Sequence, residues 1–309
     1  MNGEVRFGRM IPGEVVRRRE VCPVAYLPVG ALEWHGEHLP FGTDYLTVEH
    51  ISERAAREIG GIAFPPLLYG DVRYYLHDSR SEWRDEYTKE MRIPHSYASA
   101  FPLEANEDKS GHTLPVAPDL ESVREPLPFS SGEQYRCFVG IIAQTLLSIY
   151  LYGFKVIILL PGHGPNVGPC LQAEKLYAEN AKRRQSFQPP AVTKTFFYIE
   201  VAKEIEPRLR KHWIHADKWE SSIVMAAAPE TVHLDRLPKE KKAIPPAYLG
   251  IPYLNEHTGY SEAHQELWEN FDALDPRNAN ADYGKEHIDY AIKRLGEEVN
   301  AILQEIRKD

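Results

Sequence analysis

The chain has 309 residues, 43% of them hydrophobic, with 36 basic and 45 acidic side chains and a net charge of −9 at pH 7. That is chain enough for one large domain or two, and the acidic balance excludes the basic surface that non-specific nucleic-acid binding needs. Three scattered cysteines, Cys22, Cys137 and Cys170, make no disulfide framework or thiolate cluster and are expected as buried, inert thiols. No apolar run has membrane-spanning length, and the first twenty residues lack the apolar stretch of a signal peptide, so a soluble, cytoplasmic protein without a membrane partner is expected.

In chain order, a short polar and basic helix over 13–20 precedes a first strand, VAYLPV over 24–29. The segment TVEHISERAAREIG has Ile51, Ala55 and Ile59 at helical spacing and ends at Gly60-Gly61. IAFPPLLYG reads as a second short strand broken by prolines. Residues 71–130 lose all periodicity and turn rich in Tyr, Trp, His and charge; a long excursion of this kind inside a domain fits a substrate lid or a subunit contact. GEQYRCFVGIIAQTLLSIYLYG is a strong helix, and KVIILL over 155–160 is a strand of the type buried on both faces. A turn, PGHGPNVG, leads into the helix PCLQAEKLYAENAKRR. VTKTFFYIEV reads as β, TVHLD as strand-like, and 238–280 as irregular; an amphipathic helix over 282–307 closes the chain. Strands alternating with helices imply an α/β layer architecture with a mostly parallel sheet, whose ligands bind beyond the carboxyl ends of the strands.

Three stretches carry groups suited to chemistry. Just past the first strand, Glu33, His35, Glu37, His38 and Asp44 fall within twelve positions. In extended chain Glu33 and His35 face the same way, and Pro40 and Gly42 can turn Asp44 back toward them. Carboxylates with imidazole at a strand mouth suit a divalent metal, although a solvated polar loop has the same composition. His163 sits between glycines directly after the apolar strand KVIILL, where Asn166 can cap the following helix; alone it reads sooner as a loop histidine. In His215-Ala216-Asp217-Lys218-Trp219-Glu220, a helix starting near Ala216 turns Glu220 inward, and a buried carboxylate there needs a partner.

Taken together, these stretches resemble the creatininase (creatinine amidohydrolase) family. LPVGALEWHGEHLPFGTD is similar to that family's LPVGSxEQHGPHLPLGTD, PGHGPN to its NGHGGN, HADKWESS to its HAGxxETS, and DPRNANADYGKEHIDYAI to its closing GDPxxASAEKGRxxxE. The blocks keep their order and approximate spacing. The resemblance implies a single three-layer α/β/α domain over 1–309, with 71–130 as an inserted excursion, and a hydrolase with two divalent ions, Zn2+ or Mn2+ with Fe2+ also compatible. One ion is expected on Glu33, Asp44 and His163, the other on His35, Asp44 and Glu220, with Asp44 bridging. His215 takes the general acid/base role. His38, Trp34, Glu37, Asp217 and Trp219 are expected to line the pocket or support the ligands. A closed homo-oligomer, a hexamer among the options, and a small-molecule substrate complete the expectation.

The chain departs from the family pattern at Trp34, Glu37, Pro161 and Asp217, positions that shape the pocket and spare the ligands. The leading expectation is therefore hydrolysis of a small cyclic or acyclic amide, with creatinine itself placed in doubt. The excursion carries His77, Asp78, Arg80, Glu82, His95 and Ser96, groups that suit a polyhydroxylated substrate, so C–C ring opening of a cyclic keto-inositol is the alternative within the enzyme class. A non-catalytic metal- or sugar-binding protein on the same fold is the alternative outside it.

Overall fold

A computed structural model describes residues 3–33, 35–70, 131–183, 190–210, 215–237, 239 and 271–308. Trp34, the excursion at 71–130 and residues 240–270 lie outside the described residues, and with them the expectations placed there.

Helix α1 (Pro12–Val21) leads into β1 (Val24–Val29), followed by α2 (Thr43–Glu58) and β2 (Ile62–Ala63). After the excursion come α3 (Ser131–Leu151), β3 (Val156–Pro161), a 3-10 turn (Gly164–Asn166) and α4 (Val167–Arg183). β4 (Val192–Thr195), the short α5 (Tyr198–Ala202), α6 (Lys218–Ala227), α7 (Phe271–Leu274) and α8 (Ala281–Ile306) complete the described chain. The strands form one parallel sheet in the order β2-β1-β3-β4. β1 pairs with β3 over its whole length, from Val24 opposite Val156 to Val29 opposite Pro161.

Both faces of this sheet are covered, which is why β1 and β3 are apolar throughout and not alternating. Val24 and Tyr26 of β1, with Val156, Ile158 and Leu160 of β3, pack against Val48 and Ile51 of α2, Trp219 and Ile223 of α6, and Ile288, Ile292 and Leu295 of α8. The intervening residues Ala25, Leu27, Ile157 and Leu159 point the other way, onto Ile142 and Leu146 of α3 and Ala173 and Tyr177 of α4. The result is the expected α/β/α layering. Among the described residues no helix is long and apolar enough to cross a membrane.

The departures from expectation have local causes. The run VTKTFFYIEV is strand only as far as Thr195; a helix starts at Tyr198, whose ring stacks on Trp219 at 5.8 Å. TVHLD forms no strand: Pro229 opens one 3-10 turn and His233 N-caps the next, with Val232 N–H donating to Pro229 O and Arg236 N–H to His233 O. Cys22 and Cys170 are buried, but Cys137 is exposed on α3. The helix after β1 begins at Thr43, four residues earlier than expected, and this places Asp44 in its first turn.

Candidate metal centre

Four segments converge beyond the carboxyl ends of β1 and β3. The loop after β1 is closed by Glu33 N–H donating to Phe41 O at 2.9 Å. It carries Glu33 and His35 and hands the chain to α2, which presents Asp44. β3 delivers His163 directly. Its exit is tied to that of β1 by Gly162 N–H donating to Val29 O at 2.9 Å. Gly162 is required there, because a Cβ at that position would lie 2.0 Å from Asp44 O. The fourth segment is the entry to α6, with His215 and Glu220.

Glu33, His35, Asp44, His163, His215 and Glu220 are each 4% exposed or less. His163 Nδ1 lies 3.1 Å from Glu33 Oε2 and 3.4 Å from Asp44 Oδ2. His35 Nε2 lies 3.6 Å from both Asp44 Oδ1 and Glu220 Oε2, and 3.8 Å from Glu33 Oε2. The two oxygens of Asp44 thus face two different histidines. His215 stands further out, its Nδ1 4.0 Å from Glu33 Oε1 and its ring 4.5 Å from that of His35. Three groups of donor atoms are close enough to share an ion: Glu33, Asp44 and His163; His35, Asp44 and Glu220; and Glu33, His35 and His215.

The electrostatics favour a cation. Burial raises the Glu33 carboxyl to about 7 despite the pull of His163. Burial disfavours the charged form of His35 as well, yet Glu220 and Asp44 outweigh it and lift the imidazole to about 10; Glu33 and Asp44 raise His163 in the same way. Glu33 Oε1 and Asp44 Oδ2 are buried with no hydrogen-bond partner among the described residues. Leaving such oxygens unsatisfied costs on the order of 1–3 kcal/mol each or more. A divalent ion satisfies them, and an all-nitrogen-and-oxygen donor set with neighbouring donors 3.1–3.6 Å apart suits one. His35 is already oriented for the task. Its Nδ1 lies 3.0 Å from the Glu33 carbonyl, which can only accept, so in the neutral ring the proton sits on Nδ1 and Nε2 is the ligating atom.

Around these groups lies a supporting shell. His38 is fully buried, and burial lowers its imidazole to about 4. Its Nε2 lies 3.2 Å from Ala216 O and 3.1 Å from Ser221 Oγ, which ties the loop after β1 to the entry of α6. Asp217 N-caps α6, accepting from Glu220 N–H at 2.9 Å, and burial raises its carboxyl to about 7. Ala216 N–H donates back to Glu220 Oε2. This exchange requires Ala216 to adopt φ 53°, the left-handed region that a non-glycine residue seldom occupies. Asn166 ends the 3-10 turn directly ahead of α4, and its amide donates to Gly30 O at 2.9 Å.

Of the remaining expected pocket residues, Glu37 is exposed on the loop. Trp219 turns away into the core between Tyr198 and His287. The helical step from Glu220 carries it there, since neighbouring residues on a helix point in different directions. The roles of Ser221 and Ala216 are not legible in the sequence. A usable sign was Asp217-Lys218-Trp219-Glu220, whose D-x-x-E spacing is that of a capping box and fixes where α6 starts.

Comparison with known proteins bears on the family and the fold. The family model for Creatininase, described as creatinine amidohydrolase, matches residues 9–77 and 113–299. A creatinine amidohydrolase from Pseudomonas putida is 45% identical over 235 residues, 74% of each chain. The fold is shared with a crystal structure of creatinine amidohydrolase at TM-score 0.61 and 17% identity, covering 97% of this chain and 98% of that one. A creatininase named with manganese matches at TM-score 0.60 and 18% identity over the same shares. The chain belongs to the creatininase family of hydrolases.

Proposed function

We propose that this protein is a binuclear metal-dependent amidohydrolase that opens or cleaves a small cyclic or acyclic amide. Glu33, Asp44 and His163 would hold one ion, and His35, Asp44 and Glu220 the other. The observation that carries the reading is Asp44, whose two buried oxygens face His163 at 3.4 Å and His35 at 3.6 Å. A carboxylate so placed would offer one oxygen to each of two ions. When bound, such ions supply a water acidic enough to act as nucleophile near neutral pH and polarise the carbonyl it attacks. The chain's own residues do the rest. His35 is held in one tautomer by the Glu33 carbonyl, Glu220 is fixed by Ala216 N–H, and the buried walls exclude bulk water. His215 is the side chain left to move a proton to the leaving nitrogen.

The donor set suits Zn2+ or Mn2+, and Mn2+ is named with one of the related creatininases. The same reading extends to a single domain with 71–130 inserted, and to a cytoplasmic homo-oligomer, which light scattering on the purified protein checks. The deciding test is elemental analysis of protein purified without chelator, together with a hydrolysis screen of amides and of cyclic keto-polyols. Two equivalents of metal and turnover of an amide are expected. Asp44→Ala should lose both ions at once; loss of one alone removes the bridging assignment. Turnover of a keto-polyol alone transfers the assignment to C–C cleavage.

A further inference from the structure

His35 belongs to two of the three donor groups, and it can serve only one at a time. Its Nδ1 proton faces the Glu33 carbonyl, so Nε2 holds the ring's one available lone pair. Asp44 Oδ1 and Glu220 Oε2 lie 3.6 Å from it. His215 offers the competing set. Its ring is tilted 36° to that of His35 with centroids 4.5 Å apart, and its Nδ1 lies 4.0 Å from Glu33 Oε1.

Glu33 Oε1 is itself a pointer. It is the oxygen not turned toward His163, and it is buried without a hydrogen-bond partner among the described residues. A separation of 4.0 Å from an imidazole nitrogen is too long for a hydrogen bond. It is close to the span of two ligand atoms on one ion, about 3.4 Å for a tetrahedral centre with bonds of 2.0–2.2 Å. Glu33 therefore faces two histidines with two oxygens, as Asp44 does.

We propose that the second ion has an alternative seat made by Glu33 Oε1, His35 and His215, exchanged for the seat made by His35, Asp44 and Glu220. The proposal rests on the binuclear reading above. His35 would serve both seats, with Glu33 Oε1 and His215 taking the place of Asp44 and Glu220. In the alternative seat the ligating lone pair of His215 is committed to the ion and takes no part in proton transfer. The seat is thus an idle state of the same centre, and Zn2+, which suits imidazole ligands, is the ion to probe it with.

The experiment is a competitive Zn2+ titration of the metal-free protein against a chromophoric chelator, on wild type, Glu220→Gln, and Glu220→Gln combined with His215→Asn. Glutamine keeps an oxygen to accept from Ala216 N–H, so the fold at the entry of α6 is retained. Wild type should bind two equivalents. Glu220→Gln should still bind two, the second weakened roughly tenfold, and the double variant should bind one, a further loss of about 10–100-fold at the second position. Co2+-loaded protein gives an independent readout. Paramagnetically shifted, exchangeable imidazole N–H signals should number two in wild type and three in Glu220→Gln. Equal second-ion affinity in the single and double variants, or two signals in Glu220→Gln, overturns the alternative seat and leaves the binuclear reading standing. Fewer than two equivalents in wild type overturns both.

Discussion

Two residues at the entry of α6, with one from the loop after β1, position Glu220 at the candidate metal centre. Ala216 holds φ 53° so that its N–H reaches Glu220, Asp217 caps the helix through Glu220 N–H, and His38 fixes the Ala216 carbonyl from the other side. A left-handed conformation costs a non-glycine residue roughly 1–2 kcal/mol, so the surrounding bonds must hold it. Asp217→Ala removes the cap. It should cost about 0.5–2 kcal/mol of stability and weaken metal binding through Glu220, whereas Asp217→Asn, which caps equally well, should restore both; melting curves with and without metal check this. His215→Ala should retain both ions while kcat falls by ~10²-fold or more, as for loss of a general acid/base; loss of metal in that variant would make it an obligatory ligand. At this scale the sequence disclosed residue types well and contacts poorly. Glu33, His35, Asp44 and His163 stand out because buried carboxylates and imidazoles cluster at strand ends. Ser221 and the strained Ala216 do not, because a serine or an alanine gains meaning only from what its backbone or hydroxyl touches in the fold.

The elements set the distances between those residues, and helix packing is what the site depends on most remotely. Helix α8 lies against α6, which carries Glu220, and at Gly284 the two backbones nearly touch. A Cβ there would sit 1.9 Å from Ser222 O and 2.3 Å from its carbonyl carbon. Backbone cannot yield as a flexible side chain does, so Gly284→Ala must push the helices apart. Overpacking of this kind costs typically 1–3 kcal/mol, against the helix-propensity gain of about 1 kcal/mol that alanine brings over glycine. The variant should therefore melt lower and bind the second ion more weakly, since α6 carries Glu220 but not His163. Unchanged melting would mean that the helices are not held at this separation. Much of this level was legible. The apolar runs of β1 and β3 and the periodicity through Ile288, Ile292, Leu295 and Val299 carry their burial in their spacing. TVHLD misled because two apolar residues at alternate positions are too few to distinguish a strand from turns fixed by Pro229 and by the bond from His233 N–H to His38 O.

Across the whole molecule, the response to acid separates the metal centre from the rest of the fold. Glu206 is not among the candidate metal ligands. It accepts from Arg208 Nε at 2.7 Å and from Tyr283 Oη at 2.8 Å, and so ties the segment after α5 to α8. The hydrogen bond from Arg208 is the main reason its carboxyl falls from 4.5 to about 2, with burial opposing and Tyr283 reinforcing. A carboxyl whose pKa is lowered by folding binds its proton more weakly in the native state than in the unfolded one. Its contribution to stability is therefore complete above about pH 4.5 and is lost as the pH falls from there toward 2. Acid also releases metal, because imidazole ligands must be neutral to bind, and the two effects overlap in the holoprotein. Measuring urea unfolding of the metal-free protein between pH 2 and 6 isolates the first. Wild type should lose stability steeply below pH 4.5, and Glu206→Gln should show a shallower slope and lower stability at pH 6. Near pH 2, where Glu206 is partly protonated in the native protein as well, the two proteins should converge. Parallel slopes in wild type and variant would show that the acid limb arises elsewhere. Restoring metal should add a separate, steeper loss at the pH where the histidines take up protons, present to the same extent in both proteins because Glu206 touches none of the ligands.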